Sequence, residues 1–144
     1  MTKNNKFVKV FFLLIFFSFS VFLSACVPYL VGGAMAPDIW EFVKGAVVKG
    51  FPSNLPLYDK AVAVESFGST EEFGASFVSD ADLADVVKFY NTALPQLGWQ
   101  ANLSQKSETN YVFDIKNDVY SGSVIVNVAS DNEKTAITMY VVNR

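Results

Sequence analysis

The chain opens on one unbroken apolar stretch and then settles into shorter periodic patterns. No charged side chain occurs over residues 10–36, and residues 10–22 are almost wholly Phe, Leu, Ile and Val. Over 38–49, Ile39, Phe42, Val43, Ala46 and Val47 recur at helical spacing. Asp38 after Pro37 can cap that helix and Gly50 can stop it, although Gly45 weakens its interior. Pro52 and Pro56 then fix an extended segment over 51–58. Residues 61–67 and 73–78 alternate as two strands, and the polar stretch 68–72 joins them as a hairpin. Ser79, with Asp82 three residues on, predicts the start of a helix by a capping-box-like pair. Leu83, Val86, Val87, Tyr90, Leu94 and Leu97 form one apolar stripe at a 3.6-residue period, and Gly98 is the natural residue after its end. Pro95 removes one helical hydrogen bond and predicts a kink or an irregular last turn.

Four further strands follow. Trp99, Ala101 and Leu103 alternate with polar residues, as do Tyr111, Phe113 and Ile115. Residues 119–128 and 136–142 are richer in β-branched side chains on both faces. The breaks between them are short enough for hairpins, so these strands should run as an antiparallel meander. The predicted order is α-β-β-α-β-β-β-β. One sheet must bury one face, and the long helix is the only large element available to cover it. The expected fold class is α+β. It has two layers, with an antiparallel sheet of about six strands packed on one long helix, and a short N-terminal helix precedes them.

The first stretch has its own logic. Lys3, Lys6 and Lys9 precede the apolar run, and Leu23-Ser24-Ala25-Cys26 closes it. A basic segment, an apolar segment and then small residues is the layout of an export signal. The terminal Leu-Ser-Ala-Cys resembles the lipobox of bacterial lipoprotein signal peptides. That resemblance implies cleavage between Ala25 and Cys26 and lipid attachment at Cys26. An ordinary secretory cut after Ala25 fits poorly, because Leu23 would stand where a small residue is wanted; a cut after Ala34 remains open. An uncleaved span also remains open, since 27 uncharged residues exceed the ~20 that a bilayer needs. The resemblance divides the chain into a signal over 1–25, the lipidated Cys26 with a tether over 26–37, and a single domain over 38–144. The tether is apolar, and Tyr29, Leu30 and Val31 either rest in the membrane interface or pack on the domain.

Composition narrows the function. Removing 25 of the 144 residues leaves 119, the size of one domain. It also takes three of the eleven basic side chains, leaving eight against fourteen acidic ones, a net charge of −6. Such a domain repels nucleic acid. Cys26 is the sole cysteine, so no disulfide within the chain supports the fold. The chain has no histidine, which removes Ser-His-Asp and Cys-His catalysis and most zinc sites.

A second resemblance covers residues 55–144. Asp85-Val86-Val87-Lys88-Phe89-Tyr90, then Leu94, then Leu97-Gly98-Trp99, with Leu55-Pro56-Leu57-Tyr58 as lead-in, resembles a module of small exported bacterial proteins. It implies the α+β fold and carries no activity with it.

The remaining candidates are weak. Asp80, Asp82 and Asp85 do not fit a calcium loop: no Gly follows, and position twelve is Asn91. They read better as acids at a helix start, each favoured by about 0.3–1 kcal/mol. Glu65, Glu71, Glu72 and Asp114 show no spacing that would face two carboxyls across a cleft. Asn102-Leu103-Ser104 matches a glycosylation sequon, which is a chance match in a bacterial chain. Trp99, Tyr111, Phe113, Tyr120 and Tyr140 could line a groove for an apolar or sugar ligand, though aromatics at strand alternation are more often core.

The sequence therefore leads to a non-enzymatic lipoprotein of the cell envelope that binds or scaffolds another envelope component. The alternative is a carrier holding a small apolar ligand between helix and sheet. No catalytic residue, metal or cofactor is expected, and the partners are the membrane, through Cys26, and an envelope protein. Val27 after the Cys is not the familiar Asp retention signal, which favours the outer membrane in a cell with two. Because Cys26 is the only acyl acceptor, Cys26→Ser should abolish metabolic labelling by a fatty acid. Label retained in that variant would overturn the lipobox reading.

Overall fold

A computed structural model describes residues 40–130 and 133–144. The chain divides into two units, Met1–Met35 and Ala36–Arg144, and the described residues all lie in the second. They form β1 (Glu41–Lys44), β2 (Ala61–Gly68), β3 (Glu72–Ser79), α1 (Leu83–Gln96), β4 (Gln100–Ser107), β5 (Asn110–Lys116), β6 (Tyr120–Val128) and β7 (Thr135–Asn143). The strands make one seven-stranded sheet in the order β1-β2-β3-β7-β6-β5-β4. Every neighbouring pair is antiparallel. The expected hairpin β2–β3 and meander β4–β7 are both present, and β3 pairs with β7 to join them.

The fold is α+β, with two corrections. The strand count is seven rather than six, because residues 41–44 form β1 on the edge of β2 in place of the expected short helix. Asp38 and Ile39, at the start of that expected helix, lie outside the described residues. Phe42, Val43 and Lys44 satisfy strand alternation as well as helical spacing. A helix of about twelve residues is marginal without packing, and the β2 edge offers a ladder of hydrogen bonds instead. Gly45 then turns the chain at φ 71° and donates its N–H to Val64 O at 2.8 Å.

The second correction concerns the helix, which is short, at 14 residues. Its N-cap is Asp82, and no side chain bonds the first turn. Ser79 stays in the sheet, paired with Ala61 and Thr135. Its hydroxyl donates to Lys60 O at 3.0 Å and accepts from the Ala81 N–H at 3.2 Å. The strand ladder thus takes the residue that the capping pattern assigned to the helix. Pro95 is accommodated in the last turn. The end is a Schellman motif: the Trp99 N–H bonds Leu94 O at 3.0 Å, the Gly98 N–H bonds Pro95 O at 3.2 Å, and Gly98 takes φ 85°. Leu94 and Trp99, the hydrophobic pair of that motif, are both buried. Leu97, expected in the stripe, is exposed at the C-cap.

One face of the sheet is the core. Phe73, Ala75 and Phe77 of β3 lie beside Val141, Met139 and Ile137 of β7. Val124 and Val126 of β6 and Phe113 and Ile115 of β5 continue the layer. Val86, Tyr90 and Leu94 of α1, one helical turn apart, are fully buried. The helix alone does not cover this face. The connection after β1 brings Val48, Phe51, Leu55 and Tyr58 onto the core, with Phe51 edge-on to Phe73 at 6.2 Å and Tyr58 edge-on to Phe89 at 5.1 Å. Trp99 Nε1 donates to Asn54 O at 2.8 Å and ties this connection to the end of α1. Ser66 does the same at β2, accepting from the Val48 N–H at 2.7 Å and donating to Ala46 O at 2.9 Å. Ala101 and Leu103 of β4, expected inward in the pattern, are exposed on the sheet edge.

Leu94 is the third rung of the helical stripe and the hydrophobic partner of Trp99. Leu94→Ala should lower stability by about 2–5 kcal/mol in urea unfolding. A loss below about 0.5 kcal/mol, the range of surface changes, would contradict this packing.

Candidate functional site

Cys26, the cleavage point after Ala25 and the tether residues Tyr29, Leu30 and Val31 lie outside the described residues. Among the described residues no helix is long and apolar enough to cross a membrane.

The acidic trio stands at the start of α1. Asp80 pairs with Lys134 at 2.7 Å in an exposed bridge, Asp82 is the N-cap, and Asp85 lies in the first turn. Such an exposed pair contributes about 0–1 kcal/mol. An open hollow of about 430 Å³ is lined by these acids with Lys60, Ser79 and Ala81. Among the described residues no group of three His, Cys, Asp or Glu side chains is placed to hold a metal ion. The other carboxylates are dispersed: Glu65 on β2, Glu71 in the β2–β3 turn, Glu72 on β3 and Asp114 on β5.

The aromatic candidates do not line one groove. Phe113 is fully buried against Tyr90, with ring centroids 6.2 Å apart. Trp99 is buried and stacks on the half-buried Tyr120 at 6.4 Å. Tyr111 is half-buried on β5. Tyr140 lies on the opposite face of the sheet, between the inward Met139 and Val141, and is 40% exposed. A hollow on the β4–β6 side, about 410 Å³, is an open depression lined by Asn102, Asp114, Lys116, Ser121 and their neighbours.

The outer face holds the arrangement that the sequence pattern did not reveal. Register places Phe42 opposite Phe67, Phe67 opposite Gly74, and Gly74 opposite Tyr140. This row crosses four strands. The Phe67 ring lies over Gly74, where a Cβ would sit 2.3 Å from the ring carbons, so only glycine leaves room for it. Trp40, two residues before Phe42, joins on the same side. Its ring centroid is 5.5 Å from Phe67 and 6.4 Å from Phe42, while Phe67 is 5.9 Å from Phe42 and 6.4 Å from Tyr140. Phe42 is 74% exposed and Trp40 41%. The Tyr140 hydroxyl donates to the Glu72 carboxylate, which fixes the ring and raises the hydroxyl's pKa. Large exposed apolar patches of this kind mark interaction surfaces. The helical reading of 38–49 set Phe42 in an apolar stripe with Ile39, Val43, Ala46 and Val47, and the β3–β7 pairing that brings up Tyr140 has no local signal.

No family model matches the chain, and no curated protein or solved structure matches it.

Inside the core, the Tyr90 hydroxyl is buried with no hydrogen-bond partner among the described residues. Burial pushes its pKa well above the ordinary phenol value, and the Tyr58 backbone opposes this weakly without reaching hydrogen-bond geometry. The folded pKa is raised, so the associated stability is complete below the unfolded value of 10.0 and falls as pH rises past it. The slope is up to about 1.4 kcal/mol per pH unit. Tyr90→Phe should leave stability at neutral pH unchanged or raise it by up to about 2 kcal/mol, and should flatten the alkaline decline. A loss above about 1 kcal/mol would mean that the hydroxyl is partnered.

Proposed function

We propose that this chain is a membrane-anchored lipoprotein of the cell envelope whose domain is a non-enzymatic binding or scaffold module. The observation that carries the reading is the contrast between the two sheet faces. The inner face is filled by Val86, Tyr90, Leu94, Phe113, Val124, Val126, Ile137 and Met139, all at most 1% exposed. A carrier needs a pocket of about 300 Å³ or more, and side chains packed to this degree favour a scaffold over a carrier. The outer face instead presents large aromatic side chains. Cys26, placed by the lipobox resemblance, supplies the anchor. Two or three acyl chains hold a protein far more firmly than one, because each buried methylene contributes about 0.8 kcal/mol.

The test has two arms on protein purified from its native envelope. Mass spectrometry of the intact chain should find lipid on Cys26 and no stoichiometric apolar molecule bound without a covalent link. Photo-crosslinking in intact envelopes, from exposed positions such as Lys88 and Gln96 on α1, should trap a discrete envelope protein. A stoichiometric bound lipid or isoprenoid, lost in Trp99→Ala, would overturn the scaffold in favour of the carrier.

A further inference from the structure

We infer that the aromatic plate of Trp40, Phe42, Phe67 and Tyr140 seats against the bilayer surface and fixes how the domain stands on the membrane. The inference rests on the anchored reading of Cys26 and adds what the outer sheet face does. Four observations support a lipid surface as the occupant.

The first is position. Trp40 is 14 residues after Cys26, and a chain of that length reaches at most ~46–50 Å. The plate is therefore the part of the domain where the chain arrives from its anchor. The second is concentration. A short linker holds a tethered surface at an effective concentration on the order of millimolar, so even weak affinity for lipid keeps the plate engaged. The third is chemistry. Trp and Tyr gather at membrane–water interfaces, where one end of the ring is apolar and the other wet. Tyr140 is such a residue here, with its ring in the plate and its hydroxyl on Glu72. The fourth is charge. The plate is rimmed by Glu72 and the facing pair Lys44 and Glu65. That rim carries more negative than positive groups, so it suits a zwitterionic surface and not an anionic one. With the plate down, α1 lies on the far face of the sheet and its exposed side, Lys88, Thr92 and Gln96, points away from the lipid.

The chain carries its own probe, because it has only two tryptophans. Trp99 is 2% exposed in the core and Trp40 is in the plate. The mature lipidated chain is reconstituted into phosphatidylcholine vesicles, with or without bromine on the acyl chains, and co-flotation is read beside fluorescence. Brominated lipid should quench the tryptophan emission and remove its longer-wavelength part. Trp40→Phe should abolish the quenching, leaving the buried Trp99 signal alone. Phe42→Ser, at a site too exposed to matter for folding, should weaken the quenching and leave the unfolding midpoint unchanged. A chain that floats yet emits equally in both vesicles would overturn the inference and leave the anchor standing, with a protein or a second copy as the cover. Quenching that survives Trp40→Phe would overturn it too. A chain that does not float loses the anchored reading, and this inference with it.

Discussion

The pairing of β3 with β7 is the constraint on which the rest of the structure depends. It runs from Glu72↔Val142 to Ser79↔Thr135 and joins two halves that are each locally built. On one side are the short β1 and the hairpin β2–β3, and on the other the meander β4–β7. Without the junction each half would expose a single sheet face with too little to cover it. With it, Phe73, Ala75 and Phe77 meet Ile137, Met139 and Val141, and both faces of the sheet are defined at once. The inward residues make the core. The outward ones bring Gly74 beside Tyr140 and complete the aromatic row that begins at Phe42. Core and plate are two faces of one register, and a slip by one residue would exchange them.

The covering of the core is shared between unequal elements. A 14-residue helix is about 21 Å long, enough for the meander half. The irregular connection through Val48, Phe51, Leu55 and Tyr58 covers the hairpin half. The hydrogen bonds from Trp99 to Asn54 and between Ser66 and residues 46 and 48 hold that connection without regular structure. The open edges are blunted by two devices. β1 is only four residues long, and β4 exposes Gln100, Asn102, Gln105 and Lys106. Both discourage pairing with another chain. The inferred lipid contact uses the outer face near the β1 edge, so the short strand and the plate work together.

Much of the fold was legible in the sequence because its local signals agree. The strands β2, β3 and β5–β7 follow their alternation to within about one residue at most ends. The helix stripe through Val86, Tyr90 and Leu94 and the glycine stop at Gly98 hold as read. The misreadings occurred where one pattern fits two structures. Phe42 and Val43 suit a helix and a strand equally, and only the neighbouring β2 edge decides between them. Ser79 suits a cap and a strand end, and the ladder to Ala61 and Thr135 decides. The plate was illegible for a stronger reason. Trp40, Phe42, Phe67 and Tyr140 are spread across a hundred residues and converge only through β3–β7, which leaves no periodic trace. The proposed lipid anchor is the reverse case, read from the resemblance of four consecutive residues that lie outside the described structure.

Hydrogen exchange on the full chain tests the dependence on the β3–β7 junction most directly. Amides bonded across that pair should exchange only with global unfolding, as one cooperative unit with those of β6. Amides of β1 should exchange earlier, through local opening of the edge. Exchange of the β3–β7 amides as fast as those of β1, or in a step separate from β6, would contradict the account, because the two halves would then hold their structure without each other.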